Sequence, residues 1–252
     1  MRVAQGAFDD ALSRLSQVQQ VFHGSSPQSR LLWLCEHALA LTWLRLGQPA
    51  RAHQLVQPQP TEPDGLPLVR RLLLRAAVQH AMGHGAADLL AQAAALCSDQ
   101  GAIDLRLGVA LESLQLLPPV EGDADRCAAL QQQASDGGCP VLAALAAGLR
   151  CHRLAHEGRL HELAHVADEA ERLALQHRSH QAYLPQLMAY CHAAHLRIGH
   201  AEAAARCAAA ALHWVHHVAL PQVPPPFVDS FLRRNKVNAR AIAYGRTRSD
   251  KE

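Results

Sequence analysis

The chain has 252 residues, of which 49% are hydrophobic and only 4% aromatic, and its formal net charge is +2. This near-neutral balance excludes a chain built as a whole to neutralise a polyanion. Because Ala and Leu carry the apolar content and strand-forming residues are sparse, an all-α protein is predicted. The seven cysteines are scattered without a C-x-x-C spacing, and no apolar signal segment opens the chain, so we predict a cytoplasmic protein.

In chain order, the predicted elements repeat as a helix, a glycine turn, a second helix and a loop. The first helices of these pairs are predicted at residues 30–46, 68–82, 103–117, 141–157 and 183–198. The turn glycines, spaced 36 to 41 residues apart, are Gly6, Gly47, Gly83, Gly122, Gly158 and Gly199. A single helical hairpin cannot bury its apolar face, so such repeats stack on one another. The pattern predicts an α-solenoid over residues 1–218, with about five and a half hairpins.

The first hairpin is incomplete. Residues 6–22 have the pattern of a second helix whose first helix is missing. We expect further helical hairpins upstream in the natural protein. The alternative is that the first helix is absent and its partner face is exposed.

The spacing and the small residues resemble the tetratricopeptide repeat, in which a small residue follows the turn glycine by about five positions. Those positions here are Ala11, Ala52, Cys127, Leu163 and Ala204, with Asp88 as the departure. The resemblance implies a right-handed solenoid of stacked antiparallel hairpins whose first helices line a concave groove. Counting back from the glycines predicts a partner groove made of His37, Leu41, Arg45, Arg70, His80, His152, His156 and Arg197. A groove of Arg, His and apolar residues suits an acidic or amphipathic peptide.

Residues 219–252 are predicted to form a Pro-rich turn, a capping helix and a basic tail. The run HWVHHVALPQVPPPFVDSFLRRNKVN at 213–238 resembles an ending shared by helical-repeat regions of large bacterial multidomain ATPases. Those proteins act as transcriptional activators or in signalling, so the resemblance implies a sensor or assembly role without chemistry in the array. Lys236 replaces a Pro of that ending, and Ala239 stands where Arg is common. Phe227 and Phe231 supply apolar groups that can cover the end of the solenoid.

The basic tail carries seven cationic residues against Asp250 and Glu252. They are Arg233, Arg234, Lys236, Arg240, Arg246, Arg248 and Lys251. A short tail of this kind is more typical of a solvated chain end than of a nucleic-acid contact. We therefore predict a protein or peptide partner, or upstream domains of the same protein, and no membrane; nucleic acid is the alternative partner of the tail alone.

Residues 161–165 spell His-Glu-Leu-Ala-His, the H-E-x-x-H pattern of zinc proteases. In that chemistry His161 and His165 would bind zinc and Glu162 would act as the base. Both histidines fall on a polar row of the predicted helix, and Asp168 and Glu171 occupy the Gly and His places of the extended pattern. The prediction is therefore a non-catalytic interaction or regulatory scaffold without cofactor or metal. A zinc-dependent hydrolase centred on these three residues is the alternative.

Overall fold

The computed structural model describes residues 6–25, 30–58, 65–97, 102–176 and 183–249. Over these ranges the chain is helical and contains no β-strand, which confirms the all-α prediction. The α-helices are α1 (Phe8–Ser25), α2 (Arg30–Arg45), α3 (Pro49–Leu55), α4 (Leu66–Ala81), α5 (Ala87–Cys97), α6 (Ile103–Leu116), α7 (Asp123–Asp136), α8 (Pro140–Glu157), α9 (Leu160–Gln176), α10 (Leu184–Arg197), α11 (Ala201–His213) and α12 (Lys236–Ser249). None of the helices in these ranges combines the length and the apolar character needed to cross a bilayer.

Proline and glycine set the ends of several helices. Pro49 and Pro140 stand in the first turns of α3 and α8, where a missing N–H removes no helical hydrogen bond. Helix α8 ends at Gly158, whose φ of +73° is the left-handed cap that residues with a Cβ rarely adopt. The other five predicted turn glycines also have a positive φ. The backbone therefore reverses where the glycine spacing predicts a turn.

Helices that follow one another along the chain pack together. The two helices of each pair joined by a glycine turn are in contact, from α2 with α3 to α10 with α11, and each first helix also contacts the first helix of the next pair. The positions five residues after the glycines are buried at Ala11, Ala52, Cys127, Leu163 and Ala204, while Asp88 is exposed. The small side chains among them permit a close approach of the two helix axes.

The C-terminal segment, defined here as residues 214–249, contacts both the last helices and the first helices of the chain. Helix α12 packs on α10 and α11, and the ring of Trp214 lies edge-on to Tyr183 with centroids 5.2 Å apart. At the other end, Phe231 meets Phe8 edge-on at 5.5 Å. The segment predicted to cap the last hairpin thus also covers part of α1, the helix predicted to lack its first-helix partner.

Hydrogen bonds hold the C-terminal segment against the turn that follows α2. The Ser230 hydroxyl donates to the Leu46 carbonyl oxygen at 2.8 Å, and the Asn235 side-chain amide donates to the Arg45 carbonyl oxygen at 2.7 Å. The last carbonyls of a helix lack partners within it, so side chains from elsewhere can bond to them. The Asn235 side-chain oxygen also accepts the N–H groups of the second and third residues of α12, at 3.0 and 3.2 Å, and so caps that helix.

Candidate functional site

A cavity of about 1490 Å³ lies between the described helices. Its walls come from α2, α4, α6, α8 and α10, which are the first helices of the five glycine-turn pairs, and from the start of α12. We call this space the central cavity. The second helices form an outer layer: α5, α7, α9 and α11 contribute no residue to the lining, and α3 contributes only Pro49.

Six of the eight residues predicted for the partner groove line the central cavity. They are His37, Leu41, Arg45, Arg70, His80 and His152. The other two, His156 and Arg197, are exposed and do not belong to its lining. For these two residues a place in the partner groove stays a prediction.

The difference has a physical cause that the counting rule lacks. Arg45, His156 and Arg197 all stand two residues before their turn glycine. Only the Arg45 guanidinium has an aromatic partner on the cavity side, the Tyr183 ring, whose centroid lies 3.9 Å away. Stacking on an aromatic face orients an Arg side chain. The sequence repeat therefore predicts where a residue lies along its helix. Contacts with neighbouring residues determine which way its side chain points.

Several lining residues were not predicted for the groove. Glu112 stands ten residues before Gly122, the same offset that places His37 before Gly47, so the repeat itself carried this signal. Lys236 and Arg240 come from α12 and lie one helical turn apart, together with Arg234 just before that helix. These three residues belong to the predicted basic tail, which therefore contributes to the cavity wall. Arg246, Arg248 and Lys251 lie outside the residues whose side chains are described.

Positive charge dominates the cavity. Some of the cations are paired: Arg71 lies 3.3 Å from the buried Glu36, Arg153 lies 3.7 Å from Asp123, and Arg70 lies 3.8 Å from Asp104. Beyond these pairs, the lining carries Arg45, Arg234, Lys236 and Arg240, with Glu112 as the remaining carboxylate. A cavity with this balance of charge attracts an anion.

The pKa values of Glu112 and of three cavity histidines are shifted towards the neutral forms of these groups. Burial raises the pKa of Glu112 to about 7, and the positive charge of Arg45 opposes that rise. Burial lowers the pKa of His37, and the charges of Arg70 and Arg71 lower it further. Burial also lowers the pKa values of the other two cavity histidines. Near neutral pH the imidazoles are therefore uncharged, and Glu112 is close to half protonated.

The H-E-x-x-H residues lie elsewhere, on α9 in the outer layer. His161 and His165 are exposed, as the polar row of this helix predicts, with ring centroids 4.7 Å apart. Glu162 accepts hydrogen bonds from Arg159 Nε at 2.6 Å and Nη2 at 2.7 Å. The Arg159 guanidinium holds the pKa of Glu162 below its usual range. Within the described ranges, no third metal ligand converges on these histidines.

Arg159 explains the role of the carboxylates at this turn. It also reaches Glu157 at 3.1 Å and Asp125 at 2.9 Å, and so connects α7, α8 and α9 around Gly158. Glu162 is therefore one member of an ion-pair cluster at a helix turn. A general base needs to reach a metal-bound water, whereas this carboxylate is occupied by a guanidinium.

Comparison of the chain with protein-family models, with curated proteins and with solved structures finds no match. The residues that line the central cavity are therefore the basis for inferring what it binds. Several residues of the run at 213–238 make contacts within the structure. The ring of Trp214 packs on Tyr183, and that of Phe227 lies 5.1 Å from Trp43. Ser230 and Asn235 form hydrogen bonds with the end of α2.

Proposed function

We propose that the chain is a non-catalytic regulatory module, a tetratricopeptide-like solenoid that binds an acidic polypeptide segment in its central cavity. The segment belongs to a partner protein or to other domains of a large bacterial transcriptional activator or signalling ATPase. The positive charge of the cavity carries this proposal. The resemblance of residues 213–238 to the ending of such regions supports the class of protein.

The size of the cavity favours a polypeptide over a small metabolite. Pockets for drug-sized ligands measure roughly 300 to 1,000 Å³, and the central cavity is larger, at about 1490 Å³. Its wall mixes apolar residues such as Leu41 and Leu145 with the cations of α2 and α12. A helix or extended segment with Glu and Leu side chains would match both kinds of surface.

The repeat architecture supports the same function. Each pair contributes its first helix to the cavity and its second helix to the outer layer, and in solenoid proteins the concave face is the one that binds. The buried small residues at Ala52, Cys127 and Ala204 support the likeness to tetratricopeptide hairpins. The C-terminal segment adds Lys236 and Arg240 to the binding wall.

A direct binding experiment tests this function. A fluorescein-labelled peptide rich in Glu and Leu is titrated with the protein by anisotropy, beside a matched peptide in which every Glu is Gln. We expect the Glu peptide to bind more tightly, and its affinity to fall with added salt. In a Lys236→Glu, Arg240→Glu variant, affinity should drop about tenfold or more, which corresponds to about 1.4 kcal/mol.

The matched control is Arg172→Glu on the outer layer, where Arg172 is exposed and bonds only to Gln176 among its described contacts. This variant changes the net charge in the same direction without touching the cavity, so its affinity should stay within about twofold of the parent. Equal losses in both variants, or equal binding of the Glu and Gln peptides, would refute an acidic-peptide site in the cavity.

A further inference from the structure

A second group of chemically reactive side chains lies between α9, α10 and α11, outside the central cavity. Glu171, His195 and Cys207 each offer one ligand atom, and these atoms all lie within 4.8 Å of one another. All three residues are buried: His195 and Cys207 are 0% exposed and Glu171 9%. In the described ranges this is the one group of three or more His, Cys, Asp or Glu residues that meets such a spacing.

A further cysteine lies near these three. Cys191 stands one helical turn before His195 on α10, so the two side chains share a face of the helix. Cys191 and Cys207 are both free and fully buried. Cys191 does not belong to the closely spaced group, which offers one sulfur, one imidazole nitrogen and one carboxylate oxygen.

The hydrogen bonding of the cluster is incomplete. His195 Nε2 lies 3.0 Å from Glu171 Oε2, but His195 Nδ1 is buried and has no partner. Leaving a buried polar atom unpaired is destabilising. The contact with Glu171 accounts for only one of the two ring nitrogens of His195.

We propose that a zinc ion binds between α9, α10 and α11. Its ligands are Glu171, His195 and Cys207. Thiolate, imidazole and carboxylate are the groups that zinc takes in proteins, and a soft sulfur ligand favours it over magnesium or calcium. Metal–ligand bonds of about 2.0 to 2.3 Å require ligand atoms within a few ångströms of one another, and the ligand atoms of these three residues all lie within 4.8 Å of one another. Binding replaces the thiol proton of Cys207, which passes to the solvent.

Such a site would link three helices through buried side chains. Three protein ligands leave one position of a tetrahedral zinc for water. The metal would join the outer helix α9 to the last hairpin, α10 and α11, and add a cross-link to the apolar contacts between them. Arg206 Nε, 3.5 Å from Glu171 Oε1, and the exposed Asp168 mark the side of the cluster that faces solvent.

Cobalt substitution of the full chain tests the proposal. Metal-free protein is titrated with Co²⁺ and followed by absorption, and zinc is then counted by elemental analysis after dialysis. We expect one metal per chain, thiolate-to-cobalt charge-transfer bands, and a rise in melting temperature with added zinc. Cys207→Ser and His195→Gln should each weaken binding by at least about 100-fold, since loss of an outer-shell partner alone costs 10- to 100-fold.

Two controls keep the result interpretable. Cys97→Ser removes a buried cysteine from α5, away from the cluster, and should leave metal binding unchanged. The double variant His161→Ala, His165→Ala should also retain the metal. Circular dichroism shows whether each variant is folded, and His195→Gln serves if Cys207→Ser is not. Absence of charge-transfer bands would overturn the proposal, as would metal that persists in Cys207→Ser or disappears from the His161, His165 variant.

Discussion

The turns at Gly47 and Gly83 have similar backbones and different surroundings. Their φ angles are +72° and +84°. A Cβ placed on Gly47 would collide with the Ser230 carbonyl oxygen and approach the Asn235 nitrogen to 2.9 Å, whereas one placed on Gly83 would meet no atom within 4 Å. The repeat therefore produces the same turn twice, and the C-terminal segment occupies only one of the two.

The same contrast extends to the helices on either side. One large hydrophobic core joins α1 and α2 to α8–α11 and to the C-terminal segment, with Phe8, Trp214 and Phe231 among its members. Helices α4 and α5 pack with their neighbours through smaller clusters. Consecutive helices contact one another in both regions. The contact between distant ends adds to these contacts, so mutations at the ends should have larger effects than matched mutations in the middle.

The largest expected effect is that of Phe231→Ala. This ring is 0% exposed and lies between α1 and the rest of the C-terminal segment, against Phe8. Removal of a fully buried phenyl ring costs about 3 to 5 kcal/mol, and the free energy of unfolding in urea should fall by that amount. Phe227→Ala is the control, because Phe227 is only partly buried and should lose clearly less. Equal losses would contradict the importance of this contact.

The glycine pair provides the next test. Gly47→Ala requires a left-handed residue with a Cβ and also displaces Ser230, so we expect a loss of about 2 to 4 kcal/mol. Gly83→Ala imposes only the left-handed conformation, so the free energy of unfolding should fall by about 1 to 2 kcal/mol. Thermal and urea unfolding of both variants measures the difference. If Gly83→Ala were as damaging as Gly47→Ala, the C-terminal segment would not be what distinguishes the two turns.

Ser230→Ala tests the hydrogen bond at the same turn. Its buried hydroxyl donates to the Leu46 carbonyl, and without it that acceptor is left unpaired. The expected loss is about 1 to 2 kcal/mol. Ser135→Ala removes a similar bond, from an exposed serine to the Gln131 carbonyl, in the middle of the array. That control should change the free energy of unfolding by less than about 0.5 kcal/mol; a comparable loss would argue against a special role for Ser230.

The smallest expected effect is a dependence of stability on pH. It involves Glu112 on α6, in the middle of the chain, and Arg45 at the end of α2, where the C-terminal segment is bonded. Because burial raises the pKa of Glu112 from 4.5 to about 7, the folded chain holds more protons than the unfolded chain between these values. The free energy of unfolding should therefore fall as the pH rises from about 4.5 to about 7.

Glu112→Gln should remove this slope. We expect its contribution to be about 1 kcal/mol, below the full value of the shift, because the cavity admits water. Urea unfolding at pH 4.5 and pH 8 measures it, and the variant should gain stability relative to the parent at the higher pH. Arg45→Gln should steepen the slope, since the charge that lowers the pKa of Glu112 is lost. If the slope of unfolding free energy against pH were unchanged in Glu112→Gln, a group other than Glu112 would be responsible for it.

Part of the candidate site was predictable from the repeat. Equal offsets from the turn glycines predicted His37, Leu41 and His152, and the same rule could have found Glu112. It did not predict Lys236 and Arg240, because they follow the last glycine pair and belong to no repeat unit. His156 and Arg197 follow the same rule but do not line the cavity, since an offset gives a position along a helix and not the neighbour that orients the side chain.

The H-E-x-x-H motif and one residue of the proposed metal site, Glu171, lie on the same helix, α9. His161 and His165 are one turn apart in sequence and easily recognised, yet they face outward from α9. Glu171 lies on another face of α9 and meets His195 and Cys207 only because α10 and α11 pack there. Ligands that converge from three helices leave no short pattern in the sequence.

The sequence by itself determined the helices and the turns, because these depend on residues within a few positions of one another: apolar periodicity, proline at helix starts and glycine where φ is positive. Only the tertiary structure decided which faces meet. Ser230 and Leu46 are 184 residues apart, and Asn235 and Arg45 are 190 apart. Contacts across such distances depend on how every intervening pair stacks, so no local pattern contains them. The wall of the cavity and the cluster between α9, α10 and α11 arise in the same way.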